Sequence, residues 1–324
     1  MTAKGRFIGA ALRAVYVAAS VATNCLTGRR FMSVSARNDW SIGIYKGTSA
    51  WNFFQSPDIL NPVLTAGHVT DVRAEFVADP FWIKEGPTWY MFFEVMNSAV
   101  GRGEIGLATS RDCCNWKYDR IVLREPFHLS YPFVFKCGEE FFLVPESAAA
   151  NRIALYRARD FPHSWEYIKP LVEEPLADHA LFRRRDTWWL FAGAQPKLHD
   201  GLRLFFADEL TGPWTEHPKS PIVRGDPRIA RPGGRMLVLG ETVIRYAQDC
   251  FPTYGRALNA FEIVTLSKMD YQEHSFSQKP VLSPGKSGWN MHGMHHIDPY
   301  ELQEQQWIAC IDGYKRKLRI EFEY

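Results

Sequence analysis

The sequence predicts an all-β fold, a five-bladed β-propeller with four-stranded blades. Three observations carry this: a hairpin pattern that occurs five times, a repeat length close to that of one propeller blade, and an N-terminal stretch that matches the half-blade missing at the C-terminal end. The clearest copies are "DPFWIKEGPTWYMFFE" from Asp79, "YPFVFKCGEEFFLVPE" from Tyr131 and "DHALFRRRDTWWLFAG" from Asp178. Each is an apolar strand, a turn of Gly or charged residues, and an aromatic second strand, the pattern of an antiparallel hairpin. Looser copies begin at Arg231 ("RPGGRMLVLGETVIRYAQD") and Asp298 ("DPYELQEQQWIACIDG").

After a hairpin comes a third alternating segment and then a fourth containing Trp or Tyr, as in "EIGLATSRDCCNWKYDRIVL" and "RIALYRARDFPHSWEYIKPLV". Four strands in roughly 40 to 50 residues make one blade. The N-terminal "DWSIGIYKGTSAWNFFQSPDILNPVL" looks like the second half of a blade, and the last copy lacks that half. The two ends are therefore expected to pair and close the ring, leaving no long free sheet edge. A β-sandwich also has many short strands, but it predicts no repeat of this length.

The propeller is expected over residues 38–324, preceded by a helical or linker segment at 1–37. That segment holds the Ala-rich "FIGAALRAVYVAASVATNCL", where Arg13 leaves too short an apolar run for a membrane span. A short amphipathic helix is the expectation, with a weak signal peptide ending near Ala22 as the alternative. With 38 basic and 36 acidic residues the net charge is only +2, which gives no electrostatic case for nucleic acid. The six cysteines have no paired metal-ligand spacing, so free thiols and a reducing, cytoplasmic location are expected.

In an antiparallel hairpin, the start of strand one and the end of strand two share one end. Strand-one starts collect Asp79, Tyr131, Asp178, Arg231 and Asp298; strand-two ends collect Glu94, Glu146, Asp249 and Asp312. One mouth of the propeller should thus carry a ring of carboxylates beside Arg231 and, from "GMHHIDP", His295 and His296. Taken singly, an Asp before Pro or an acid after a strand is an ordinary turn residue. Several converging acids are different, because a buried carboxylate cluster costs stability unless it is paired or used. "RPGGR", with Arg231 and Arg235 flanking a Gly turn, suits either a phosphate or carboxylate ligand or a plain turn. Trp82, Trp89 and Tyr254 are candidate sugar platforms, whereas His68, His163, His199 and His217 lie in loop-like stretches with no evident partner.

Two resemblances follow from these residues. "NPVL" followed by "ADPFWIKEGPTWYMFF" resembles the first blade of the five-bladed glycoside hydrolase families 43, 62, 32, 68 and 130. That resemblance implies a general base at Asp79 and a pKa-tuning Asp at Asp178. The general acid of those families would fall in "IARPGGR", where this chain has Arg231, a departure from ordinary inverting hydrolysis. A last-blade histidine that faces a central ion in family 43 would correspond to His295 or His296. A closer resemblance, over roughly residues 38–315, is to the N-terminal domain of plant glucosamine inositolphosphorylceramide transferase and related bacterial domains. It rests on "FFEVMN", "EPFHLSYPFVF", "PES", "LTGPWTEHPKSPIV", "IARPGGR", "PTYG" and "GMHHIDP".

Together these imply a carbohydrate-active enzyme acting on a glycosidic bond by hydrolysis, phosphorolysis or transfer. Asp79 is expected to be base or nucleophile and Glu146 the acid, with Asp178 orienting or tuning. Glu94, Tyr131, Arg231, Arg235, Asp249, Tyr254, His295, His296 and Asp298 are expected to bind substrate, a carbohydrate or sugar phosphate. The alternative is a non-catalytic glycan-binding propeller that assists a partner transferase. No cofactor is expected to be obligatory; the one cation position the sequence suggests lies near His296 and Asp298, too poor in oxygen ligands for a dedicated calcium loop.

Overall fold

The computed structural model describes residues 32–322 of the chain. The first blade is β3 (Ala74–Glu85), β4 (Thr88–Asn97), β5 (Arg102–Ser110) and β6 (Lys117–Leu123). The second is β7 (Ser130–Cys137), β8 (Glu140–Glu146), β9 (Ile153–Asp160) and β10 (Ser164–Val172). The third is β11 (Ala177–Arg184), β12 (Thr187–Gly193) and β13 (Gly201–Ala207), with an outer edge split into β14 (Thr215–Glu216) and β15 (Val223–Arg224). The fourth is β16 (Leu237–Leu239), β17 (Thr242–Asp249), β18 (Ala257–Leu266) and β19 (Tyr271–Ser275).

The fifth blade joins the two ends of the chain. Its strands run in the order β20 (Ile297–Gln303), β21 (Gln306–Phe322), β1 (Met32–Ser49) and β2 (Asn52–Phe54), so the N-terminal stretch supplies the missing outer half as the sequence predicts. The propeller is the compact unit Trp40–Lys315. In a second unit, made of the terminal stretches outside it, Lys317 Nζ lies 2.7 Å from Asp39 Oδ2. The helix expected within residues 1–37 falls mostly on residues 1–31, outside the described residues. From Met32 onward that segment is extended as the start of β1.

The inner hairpins of the first four blades turn with a positive-φ residue first in a two-residue loop, at Gly86, Gly138, Arg185 and Gly240, and that of the fifth with one second in the loop, at Gln305. That is the backbone sign a tight two-residue hairpin requires. The near-continuous apolar runs of the middle strands are explained by burial on both faces. Along β4, Met91, Phe93 and Val95 pack toward the fifth blade, while Phe92 packs toward the second. Along β12, Trp188 and Leu190 face the second blade, and Trp189 and Phe191 the fourth. The period of two therefore divides each strand between two interblade cores. Trp82 and Trp89, both 3% exposed, belong to the core between the fifth and first blades, which corrects their assignment as sugar platforms. Among the described cysteines, Cys113, Cys114, Cys137, Cys250 and Cys310 are unbridged. No helix among the described residues is long and apolar enough to cross a membrane.

Candidate functional site

The inner strands of the first three blades kink at the same place. Asp79, Tyr131 and Asp178 hold φ of 53°, 47° and 27°, a region that non-glycine residues seldom adopt. Each kink sits at a bulge, where the pairing slips between Ala78 and Phe81, between Ser130 and Phe133, and between Ala177 and His179. A bulge re-aims the side chain it carries, and strained backbone of this kind clusters where side-chain placement matters more than local stability.

Around these kinks the expected acids converge. Arg231 grips Asp178 with both arms of its guanidinium, Nε to Oδ2 at 2.7 Å and Nη2 to Oδ1 at 3.1 Å. Its Nη2 lies 3.7 Å from Glu146 Oε2, and its Nη1 donates to the Pro196 carbonyl and to His199 Nδ1 at 2.9 and 2.8 Å. The ring of Tyr254 covers the guanidinium at 5.2 Å. Gln248 Nε2 adds a third donor to Asp178 at 2.6 Å.

On the other side, Asp312 binds His295 Nδ1 at 2.8 Å and accepts the backbone N–H groups of Asp79, His295 and His296. His295 Nε2 is 3.7 Å from Asp79 Oδ1, and the imidazole is stacked on Trp40 at 4.1 Å and edge-on to Tyr254. Glu94 faces His128, whose Nδ1 accepts the Gly103 N–H, so that Nε2–H points to Glu94 Oε1 at 3.4 Å. Gly103 makes room here, since a Cβ would stand 2.2 Å from the Leu129 carbonyl and 2.9 Å from Glu94 Oε1.

These surroundings separate the protonation states. Burial, with Asp178 beside it, pushes Glu146 up to about 8, and burial with neighbouring acids carries Glu94 well above the ordinary range. Burial pushes Asp79 up to about 7 against the pull of His295. Burial also works to raise Asp178, but the Arg231 guanidinium outweighs it and holds that carboxyl below its usual value. Asp312 is likewise held down by His295 against burial. Its charge and that of Asp79 raise His295, although burial alone would lower it. At neutral pH the mouth thus holds a protonated acid, Glu146, next to an ionised one, Asp178, with Asp79 near its midpoint.

Other expected residues are placed differently. Tyr131 is fully buried on the axis, its ring packed edge-on to Phe81 and His296. His296 donates from Nε2 to the Pro80 carbonyl, and burial pushes its pKa down to about 4. Asp249 caps the Phe251 N–H and pairs with Arg256, fixing the turn that carries Tyr254. Asp298 and Arg235 are not at the mouth. Asp298 accepts Arg235 Nε at 2.6 Å and the Trp82 N–H at 2.9 Å, further along the inner strands.

The fifth copy therefore begins at His295 rather than Asp298. Ile297 pairs with Ile311 as Phe81 pairs with Phe92, and His295 stands two residues before Ile297 as Asp79 stands two before Phe81. The sequence reading passed over His199, Gln248 and Trp40. The "IARPGGR" arginine and the acid opening the third blade could have pointed to a partner set, but the loop that brings His199 to Arg231 has no periodic signal.

Asp79, His295 and Asp312 each present a ligand atom within 4.8 Å of one another. They are poorly suited to a cation, because His295 Nδ1 and both Asp312 oxygens are already engaged with each other and with backbone N–H groups. Asp298, the other residue expected near a cation, is committed to Arg235.

A five-bladed propeller with carboxylates gathered at one mouth is the class that fold and site define, and solved structures share the architecture. A thermostable family-43 glycoside hydrolase superposes with a TM-score of 0.56 at 14% identity, over 82% of this chain and 96% of that one. The α-L-arabinofuranosidase of Podospora anserina in complex with cellotriose gives 0.55 at 11%, over 74% and 90%. At such identities the likeness is one of fold.

The chain belongs to the family described as Glucosamine inositolphosphorylceramide transferase 1, N-terminal, which matches residues 34–314. The protein named glucosamine inositolphosphorylceramide transferase 1 in Oryza sativa subsp. japonica is 35% identical over 301 residues, 85% of this chain and 40% of the relative. Its namesake in Arabidopsis thaliana is 33% identical over 306 residues, 87% and 40%. The chain thus spans less than half the length of these curated relatives.

Proposed function

We propose that this propeller is a carbohydrate-active enzyme that acts on a glycosidic bond at the acid-lined mouth. The observation that carries the reading is the pair formed by Glu146 and Asp178, neighbouring carboxyls held in opposite protonation states: burial and the Asp178 charge keep Glu146 protonated, while the buried Arg231 guanidinium keeps Asp178 ionised. Glycoside chemistry needs one carboxyl that can give a proton and another that can take one or attack, and groups whose pKa values are pushed apart supply both.

In hydrolysis, Glu146 gives its proton to the leaving glycosidic oxygen as that bond breaks. Asp79 takes a proton from the water whose oxygen bonds to the anomeric carbon. Exchange with solvent then restores both groups. Asp178, immobilised by Arg231 and Gln248, keeps Glu146 protonated until the leaving oxygen arrives. Arg231 is spent on Asp178, His199 and a carbonyl, which favours a neutral sugar over a sugar phosphate at this mouth. We further propose that no metal is needed, and that the unbridged thiols suit a reducing compartment.

A second reading, a glycan-binding propeller that assists a partner transferase, is favoured by Arg231, which stands where the resemblance to the five-bladed glycoside hydrolase families implies their general acid. Turnover of a panel of glycosides and nucleotide sugars by wild type, Asp79→Asn and Glu146→Gln separates the two. Turnover lost in both variants supports the enzyme; saturable binding without turnover in wild type supports the binding module.

A further inference from the structure

The two arginines of "RPGGR" serve opposite ends of the axis. Arg231 belongs to the acid-lined mouth, whereas Arg235 lines a separate cavity of ≈ 430 Å³. The cavity walls come from the far ends of the inner strands: Lys84 on β3, Lys136 on β7, Leu237 on β16 and Tyr300 on β20. Asp79 lies five residues before Lys84 on β3 and Tyr131 five before Lys136 on β7, so the cavity opens at the opposite, hairpin-turn mouth. Between the two mouths, the Arg235–Asp298 pair ties four blades together, because Arg235 Nη2 also donates to the Val134 carbonyl at 2.9 Å and to that of Trp82 at 3.3 Å.

The geometry points to a second ligand site in this cavity, one that takes a small oxyanion, phosphate or carboxylate, attached to an apolar ring. Its size falls in the usual range for small-molecule pockets, and its walls are mostly apolar: Ile83, Phe135, Leu237, Tyr300 and Trp307. Tyr300 is 38% exposed, and its ring is held edge-on against Trp89 at 4.7 Å, a fixed surface for a planar group.

The charged groups facing the cavity are Lys84, Lys136 and Arg235 against Asp298 and Glu301. Asp298 neutralises Arg235, and the rim holds Lys84 and Lys136 facing Glu301. Lys136 also meets Glu85 and Glu139 at the hairpin tips, at 3.0 and 3.7 Å, and Lys84 lies over the Trp89 ring at 5.5 Å. Arg235 lines the cavity and is 21% exposed, with Nε and Nη2 bonded to Asp298 and to carbonyls, and Nη1 makes no hydrogen bond among the described residues. A guanidinium locked in place by a buried carboxylate presents its remaining N–H groups to an oxyanion at little ordering cost.

The test is calorimetric titration of the full chain with phenyl phosphate, benzoate and inorganic phosphate. Saturable binding of an aryl anion is expected, tighter than inorganic phosphate; phenyl phosphate ahead of benzoate assigns the phosphate form, and the reverse order the carboxylate form. Lys84→Ala with Lys136→Ala should weaken binding about tenfold, as should Tyr300→Ala, with thermal stability kept because these side chains lie at the surface. Asp79→Asn should leave this binding unchanged. Absence of saturation by both aryl anions, inorganic phosphate binding as tightly as phenyl phosphate, or affinities unaltered in both cavity variants would overturn the site. Loss of binding in Asp79→Asn would overturn it too, by placing the anion at the other mouth.

Discussion

The protonated state of Glu146 can be tested without knowing a substrate, through the pH dependence of stability. In the folded protein burial and Asp178 raise its pKa from 4.5 to about 8. Folding therefore makes the group hold a proton that the unfolded chain releases, so wild-type stability falls as pH rises between these two values. At pH 7 the gap to the unfolded value is about 2.5 pKa units, an upper limit of about 3.4 kcal/mol at 1.36 kcal/mol per unit. At pH 5 it is about 0.5 unit, or about 0.7 kcal/mol. Glu146→Gln removes the titration and keeps an N–H donor toward Asp178. The variant should gain on wild type by up to about 2.7 kcal/mol between pH 5 and pH 7. With about 2 to 4 °C per kcal/mol for a domain of this size, the difference in Tm between variant and wild type should widen by roughly 5 to 10 °C. Differential scanning calorimetry at the two pH values reads this directly. A difference that stays flat with pH would refute the raised pKa, and with it Glu146 as the proton donor.

Three further outcomes are expected. If hydrolysis is the reaction, kcat/KM should be bell-shaped, falling below about 7 as Asp79 gains its proton and above about 8 as Glu146 loses its own; a profile flat from pH 5 to 9 contradicts the assignment. Arg231→Leu should leave Asp178 buried and uncompensated, costing about 3 to 5 kcal/mol by chemical denaturation and abolishing turnover; retention of wild-type stability would mean the pair does not hold the mouth together. Activity and Tm should both survive dialysis against EDTA, because the Asp79, His295 and Asp312 group is satisfied internally, and a drop in either that Ca²⁺ or Zn²⁺ restores would show that it holds an ion.

Most of the fold is legible because interblade burial writes itself into the sequence. A strand buried on both faces must be apolar throughout, so "WYMFFEV" and "WWLFAG" stand out, and each lies a fixed distance after a turn. The fourth blade is less legible. Its inner strand is interrupted around Gly234, which holds a φ of 142° and approaches Ile297 of the fifth blade so closely that a Cβ would stand 1.7 Å from the Ile297 carbonyl. That approach takes the place of a regular ladder, and short β16 is what remains. The fifth blade misleads because "IDPY" imitates the Asp-Pro-aromatic start of the first. In the three-dimensional register the equivalent residue is His295, and Asp298 lies deeper on the axis.

The acids of the mouth are legible for a geometric reason: hairpin pairing alone brings Asp79 near Glu94 and Tyr131 near Glu146. What hairpin logic does not give is which acids acquire partners. Arg231 is an anion-binding candidate in sequence, but folding sets it against Asp178 across two blades and spends its charge there. His199 lies in the loop between β12 and β13 and meets Arg231 when the third and fourth blades pack, whereas Trp40, on a strand of the closing blade, reaches the site only once the ring is complete. The arrangement of the carboxylates and the arginine is therefore a product of packing between blades rather than of any single motif.

The most direct measurement is turnover of a panel of glycosides, sugar phosphates and nucleotide sugars by the purified chain, with Asp79→Asn and Glu146→Gln alongside. The expected result is bond cleavage or transfer on a neutral glycoside by wild type, abolished in both variants while their folding remains intact. Turnover that persists in both variants would contradict the acid-lined mouth as the catalytic centre. Ligand-induced stabilisation of wild type with no turnover on any substrate would leave a glycan-binding propeller in its place.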